Sequence, residues 1–214
     1  MKIAPSILAA DFLNLGKDIE LLNNHADIIH IDVMDGSLVP NISFGFPVID
    51  KVSCIARIPM DVHLMVVHPE RWFERLAKEG VSMVSFHYEA AGRNTGKYID
   101  LIHSLGMKAG VAINPDVPVE KLFSQIGKAD YFLVMTVFAG FGGQKFIYES
   151  LDRVKILSDE IKKRGATGEI QVDGGVDSGN AAALKEAGVD IIVAGSSVFK
   201  ASDPAAAIAE LKAF

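Results

Sequence analysis

Paired thiols are missing. The 214 residues hold a single cysteine, Cys54, so no internal disulfide can form and no thiolate metal finger can be built. That usage fits a reducing compartment, and we expect a cytoplasmic protein. An excess of basic charge is missing too. Lys and Arg number 21 against 27 Asp and Glu, a formal net charge of −6, which argues against a nucleic-acid or anionic-membrane partner. The one short basic run, Lys162-Lys163-Arg164, suits the solvated end of a helix, where cations complement the macrodipole. No apolar stretch reaches the roughly 20 residues needed to cross a bilayer. The run from Ile3 to Ala10 is broken by Pro5 and Ser6 and ended by Asp11, so it reads as a first strand and not as a secretory signal. Low-complexity sequence is absent as well. With 50% apolar and 22% charged residues, residues 1–214 have the makeup of one folded domain, able to bury roughly 70% of its unfolded surface.

What the chain does have is a repeat. A stretch of helical spacing ends again and again in a Gly or polar break, followed at once by a short β-branched run. Breaks of this kind stand at Asn24-His25-Ala26, Glu79-Gly80-Val81, Leu105-Gly106-Met107, Gly127-Lys128-Ala129, Gly165-Ala166-Thr167 and Ala187-Gly188-Val189. Strands are predicted near 3–9, 27–33, 60–66, 82–88, 108–113, 131–137, 169–173 and 190–194. Helical spacing lies between them, as in Leu15, Ile19 and Leu22, or Leu151, Val154, Ile156 and Ile161, and Pro69 and Pro118 sit where a first-turn proline is tolerated. The unit recurs about every 25 residues, the length of a strand, a helix and two loops. Eight such units predict an α/β fold with a closed parallel sheet, the (β/α)8 or TIM barrel. No G-x-G-x-x-G follows the first strand, which removes the best support for an open doubly wound sheet.

In such a barrel, chemistry sits at the C-terminal strand ends, and residues of one parity point inward. His30, Asp32 and Met34 share one face of strand two. Asp61, His63 and Met65 share one face of strand three, and Asp173 ends strand seven before Gly174-Gly175. Two imidazoles and two carboxylates, His30, Asp32, His63 and Asp173, thus converge on one mouth and make a shell for a divalent ion: Zn²⁺, Fe²⁺, Mn²⁺ or Co²⁺. Asp35 and Asp61 are expected to orient neighbours or cap loops, and His87 with Glu89 to support the ligands from behind. A second feature is glycine at three strand ends. Gly140-Phe141-Gly142-Gly143 follows strand six, Gly174-Gly175 strand seven and Gly195-Ser196 strand eight. Loops after strands seven and eight, with a short helix such as 196–200, are where a barrel holds a phosphate. Met34, Met65 and Met135 come late in their strands. They read either as core filler or as an apolar lining that excludes water from the carboxylates.

These residues resemble the ribulose-phosphate 3-epimerase family. The likeness rests on Ala4-Pro5-Ser6-Ile7-Leu8, His30-Ile31-Asp32-Val33-Met34-Asp35-Gly36, Val39-Pro40-Asn41, Asp61-Val62-His63-Leu64-Met65-Val66, Gly140-Phe141-Gly142-Gly143-Gln144 and Val172-Asp173-Gly174-Gly175, in order along the chain. The resemblance implies a metal on His30, Asp32, His63 and Asp173, with Asp32 and Asp173 as the two acid/base groups. It implies substrate contacts from Ser6 and His63, a cap of Met34, Met65 and Met135, and a phosphate on Gly142, Gly143, Gly174, Gly175, Gly195 and Ser196, the rest of the loop, Gly140 and Phe141, lying over the sugar. The partner is then a small phosphosugar, and a homo-oligomer is expected. The implied reaction inverts C3 of D-ribulose 5-phosphate, one carboxyl removing the proton beside the ketone and the other returning one on the opposite face.

Three stretches depart from the family pattern. Phe138-Ala139 precede G-F-G-G where a polar residue and proline are usual, Ser37-Leu38 follow D-G, and the N-P-x-T-P stretch reads Asn114-Pro115-Asp116-Val117-Pro118. All fall in loops at the mouth, so they bear on sugar preference. Ala139 is expected to leave its loop freer than proline would. The nearest rival is epimerisation of a hexulose phosphate such as D-allulose 6-phosphate. A phosphosugar lyase or decarboxylase of the same fold carries a lysine where His63 stands, and a non-catalytic phosphosugar-binding protein would not need four intact ligands.

Overall fold

The architecture follows from a computed structural model describing residues 1–214. Eight strands, β1 (Lys2–Pro5), β2 (Ile29–Met34), β3 (Met60–Met65), β4 (Met83–His87), β5 (Lys108–Ile113), β6 (Tyr131–Met135), β7 (Glu169–Asp173) and β8 (Ile191–Ala194), form one parallel sheet. Their order is β1-β8-β7-β6-β5-β4-β3-β2. The two edges meet through the Ser6–His30 bridge and the N–H groups of Asp27 and Ile28 on the Ile3 carbonyl. The result is the nearly closed TIM barrel that the repeat predicts.

Helices α1 (Leu15–His25), α2 (Phe46–Ser53), α3 (Phe73–Lys78), α4 (Tyr88–Ala91), α5 (Thr95–Ser104), α6 (Ser150–Lys163), α7 (Ala181–Ala187), α8 (Ser196–Phe199) and α9 (Pro204–Lys212) lie between and after the strands. Their buried faces, for example Ile19 and Leu22 of α1 or Val154, Leu157 and Ile161 of α6, join the outward faces of the strands in the main hydrophobic core. Ile156, expected on that face, is exposed, and Leu157 takes its place. At the end of α7, Gly188 turns the chain at φ +105°, a conformation open to Gly without a Cβ penalty.

Some boundaries differ from the sequence expectation. β1 stops at Pro5, and Ile7–Ala9 form a 3-10 turn, because the Ser6 side chain caps it by accepting the Leu8 N–H. β6 ends at Met135, although Thr136 still donates its N–H to the Asp173 carbonyl. Pro69 opens a 3-10 turn (Pro69–Arg71), and Pro118 precedes another (Val119–Gln125), so neither starts an α-helix.

The barrel interior is a separate, partly polar core. Tyr131 fills its centre, and a Cβ on Gly110 of the adjacent strand would lie 2.3 Å from the Tyr131 ring. The Tyr131 hydroxyl donates to Asp61 Oδ1 at 2.7 Å, and Gln171 donates to Asp61 Oδ2 at 2.7 Å. Asp61 also takes the Nδ1–H of His30 at 2.9 Å. Burial raises this carboxyl, but the charge of His30 and the three donors outweigh it and hold Asp61 below the ordinary carboxylate range. Asp61 is thus an orienting residue, as the sequence suggests, anchored one layer below the mouth.

Candidate active site

His30 and Asp32 come from β2, His63 from β3 and Asp173 from the last position of β7. Alternation along each strand turns all four inward at the C-terminal end. One ligand atom from each lies within 4.8 Å of the others. His30 Nε2 is 3.4 Å from Asp32 Oδ1 and 3.9 Å from Asp173 Oδ2. His63 Nδ1 is 3.2 Å and 3.7 Å from the same two atoms.

The tautomers of both rings follow from their outer neighbours. Asp61 can only accept, so His30 carries its proton on Nδ1 and turns the bare Nε2 to the centre; Nε2 is buried with no hydrogen-bond partner. Behind His63 stands His87, whose Nδ1 is 3.3 Å from Glu89 Oε1. Glu89 accepts a hydrogen bond from His87 Nδ1–H, which leaves His87 Nε2 to accept from His63 Nε2–H at 2.9 Å. His63 Nδ1 is then bare toward the two carboxylates. Two lone pairs of nitrogen facing two carboxylates is an arrangement that calls for a cation at the centre. The mixed N/O donor set, with both imidazoles held by carboxylate-terminated hydrogen bonds, fits a divalent transition ion.

The electrostatics show the same demand for positive charge at the centre, which without an ion would fall on the imidazoles as bound protons. Burial pushes the His30 imidazole down, yet the charges of Asp32 and Asp61 raise it well above its usual range. His63 is likewise lowered by burial, but the Asp173 and Asp32 carboxylates, 3.7 Å and 3.2 Å from its Nδ1, raise it above its usual range. Burial raises Asp32, but the charge of a protonated His30 and the nearby His63 imidazole hold it far below the ordinary range. His87 is kept low by burial, in keeping with a neutral relay, and Glu89 is drawn down by His87 against its own burial. Ser6 Oγ donates to Asp32 Oδ2 at 2.5 Å and fixes the carboxylate from the β1 side.

Above the four groups opens a cavity of about 1040 Å³. Ser6, Asp32, Met34, Met65, Met135 and Asp173 line it, as do Gly140, Phe141, Gly142, Gly143, Gly174, Gly175, Gly195 and Ser196. His30 and His63 do not; both are fully buried, so the substrate contact expected of His63 is not among the cavity walls. Gly175 closes tightly on the neighbouring loop, where an added Cβ would meet Phe146 N at 2.6 Å. The backbone N–H groups of Gly143, Gly175, Ser196 and Ser197 have no acceptor within the chain, and they stand on the three Gly-marked loops. Sequence reasoning missed several walls: Leu8, Phe146, Tyr148, Asn180, and the cations Lys145 and Lys200. The two lysines follow the Gly-rich loop and close α8, a placement that could have marked them.

The departures have structural counterparts. Ala139 is not free: its N–H donates to Asn114 Oδ1 at 3.0 Å, a bond that proline could not make. Gln144 Nε2 donates to the Phe138 and Phe141 carbonyls, and Asn41 Nδ2 to the Gly140 carbonyl. Phe138 is half exposed at the rim. Ser37 donates to Asp35 and accepts the Val67 N–H, tying the loops after β2 and β3 together, while Leu38 packs on Met34, Val39 and Met65.

A sequence profile of the ribulose-phosphate 3 epimerase family matches residues 2–199. The chain belongs to the ribulose-phosphate 3-epimerase family. A protein named ribulose-phosphate 3-epimerase from Bacillus subtilis (strain 168) is 44% identical over 216 residues, covering 99% of this chain and 98% of its own. One of the same name from Mycobacterium tuberculosis (strain ATCC 25618 / H37Rv) is 43% identical over 210 residues, 98% of this chain and 91% of its own. A relative from Oryza sativa subsp. japonica, 40% identical over 99% of this chain and 92% of its own, is named a cytoplasmic isoform. Among solved structures, a 3-hexulose-6-phosphate synthase superposes with a TM-score of 0.73 at 19% identity, over 100% of this chain and 99% of that one. That likeness shows the barrel. The ribulose-phosphate 3-epimerase family is one of isomerases, and no helix of this member is long and apolar enough to cross a membrane.

Proposed function

We propose that this protein, a single barrel domain, interconverts D-ribulose 5-phosphate and D-xylulose 5-phosphate by inversion at C3, with Asp32 and Asp173 as the two proton carriers. The observation that carries the reading is the convergence of His30, Asp32, His63 and Asp173 from three strands within 4.8 Å, in a member of this family. His30 Nε2, His63 Nδ1 and one oxygen each of Asp32 and Asp173 would hold a divalent ion, Zn²⁺, Fe²⁺, Mn²⁺ or Co²⁺. Bound there, it supplies Lewis-acid stabilisation of negative charge developing on the sugar oxygens.

The chain's own groups do the rest. Asp32 stands on β2 and Asp173 on β7, so a sugar between them presents one face to each. One carboxylate takes the C3 proton, charge spreads onto the C2 oxygen as an enediolate, and the other carboxyl returns a proton to the opposite face. Ser6 holds Asp32 in aim through its hydroxyl. Met34, Met65 and Met135 shield the reacting carbon from water. The phosphate rests on the free N–H groups of Gly143, Gly175, Ser196 and Ser197, beside Gly142, Gly174 and Gly195, with Lys145 and Lys200 adding positive charge. Gly140 and Phe141 lie over the sugar. No nucleic acid or membrane enters this reading. We place the protein in the cytoplasm as a homo-oligomer, a reading supported by its lone cysteine and by the exposed apolar residues Phe12, Leu13 and Ile42.

D-allulose 6-phosphate is the second reading, favoured by the cavity of about 1040 Å³ and the half-exposed Phe138 at its rim. A panel of ketose phosphates incubated with the protein in D₂O, followed by NMR, decides between them. Deuterium is expected at C3 of ribulose and xylulose 5-phosphates, fastest among the panel. Faster labelling of the hexulose phosphate would move the assignment, and no C3 labelling of any sugar would remove it.

A further inference from the structure

We infer that Asn114 and the backbone N–H of Ala139 form a positioning link that couples the Gly-rich loop after β6 to the metal ligand His63. The inference rests on the reading of His30, Asp32, His63 and Asp173 as a metal site. An unbroken run of hydrogen bonds joins the two. Ala139 N–H donates to Asn114 Oδ1 at 3.0 Å. With that oxygen committed, Asn114 turns Nδ2 to Glu89 Oε1 at 2.9 Å, and its own N–H reaches the same oxygen at 3.0 Å. Glu89 Oε1 also takes the Nδ1–H of His87, whose Nε2 takes the Nε2–H of His63. Every donor and acceptor in the run is fixed by the next, so the amide orientation of Asn114 and the tautomer of His63 are parts of one pattern.

Asn114 cannot drift to follow a moving loop, because Arg153 clamps its carbonyl at 2.8 Å while also reaching the Met135 carbonyl at 3.2 Å. The loop must therefore come to Asn114. Its tip is braced internally by Gln144, which ties the Phe138 and Phe141 carbonyls together. When Ala139 is bonded, Glu89 is held by Asn114 and His87 is held by Glu89, which fixes the ring plane of His63. Ala139 is what makes the first bond possible, since a proline at that position has no N–H to give. Coupling between two sites is reciprocal: a loop docked on Asn114 favours the ion, and the ion favours the docked loop.

The test is Zn²⁺ alone, bound to the metal-stripped full-length protein by competition with a chromophoric chelator. Ala139→Pro removes the donor, Ala139→Ser keeps it, and Asn114→Ala cuts the link at its centre. We expect Asn114→Ala to weaken Zn²⁺ binding by about tenfold, as loss of an outer hydrogen-bond partner does. Ala139→Pro should weaken it by about three- to tenfold, and Ala139→Ser should match the unmodified protein. Hydrogen exchange of the Ala139 amide should slow when Zn²⁺ is added, a readout that a purely structural brace would not move. Equal affinities in Ala139→Pro and Ala139→Ser, or unchanged Ala139 exchange on Zn²⁺ addition, overturn the link while leaving the metal site. Should Ala139→Pro not fold, the affinity of Asn114→Ala decides in its place, equality with the unmodified protein overturning the link. Failure of the unmodified protein to bind Zn²⁺, Fe²⁺, Mn²⁺ or Co²⁺ removes the metal reading itself, and the link with it.

Discussion

At the N-terminal end of the barrel, Asp27, Asp130 and Asp190 stand just ahead of β2, β6 and β8. Each accepts a backbone N–H from the second residue of a neighbouring strand: Ile3, Ala109 and Ile170, at 2.8, 2.7 and 2.8 Å. At the C-terminal end, Asp32 and Asp173 face two imidazoles and a cavity, with no backbone donor assigned to either. The same side chain is a backbone clip at one end and, in the reaction proposed, a proton carrier at the other. Each lower-end carboxylate is satisfied locally by its backbone donor, joined by Lys212 at Asp27 and by His103 at Asp130. At the upper end the acceptor capacity is left over, pooled, and turned toward the imidazoles and the cavity, where the proposed ion and sugar would lie. Between them, the buried Asp61 does some of each, closing the interior while setting the tautomer of His30.

That contrast can be broken at either end. Removing the ion from the upper end with a strong chelator should lower turnover by about a thousandfold or more, equivalent to several kcal/mol of lost charge stabilisation; metal analysis alongside steady-state kinetics checks it, and full turnover by metal-free protein would contradict it. In the interior, Gly110→Ala drives a methyl into the Tyr131 ring and should cost about 3 kcal/mol of stability by overpacking, read by denaturant unfolding. Ser196→Asp places a negative charge among the free N–H groups of the upper end. It should raise KM for a phosphorylated sugar by about tenfold, roughly 1.4 kcal/mol, with the fold intact by circular dichroism. At the lower end, Asp190→Ala removes one clip, and the loss should be about 1 kcal/mol in unfolding free energy with kcat/KM unchanged. A large drop in kcat/KM there would mean that the two ends are not separable in the way the hydrogen bonds suggest.

Much of the upper end was legible because alternation along a strand is a strict rule. Once His30 and Asp32 are two residues apart on one strand and His63 and Asp173 late in two others, a shared mouth follows from the barrel repeat. The supporting run through Glu89 and Asn114 was only half legible. His87 with Glu89 could be read as a pair behind the ligands, but Asn114 lies on another strand end, 25 residues along, and its role depends on amide orientation. Ala139 was misread as a freer position, because sequence shows the loss of a proline ring and not the N–H gained with it. Strand ends were blurred where a side chain intervenes, as when Ser6 caps a turn and stops β1. Ile156 was misplaced because a spacing of two residues from Val154 does not keep to the buried face of a helix, while Leu157, three away, does.

The central claim is that Asp32 and Asp173 are both needed, one for each face of the sugar. Turnover of ribulose 5-phosphate by Asp32→Asn and Asp173→Asn, each reloaded with metal and assayed for metal content, tests it most directly. The account predicts that neither variant epimerises at a detectable fraction of the normal rate even when the ion is retained, since each lacks the proton carrier for one face. A metal-loaded variant of either kind that turns over near the normal rate would contradict it.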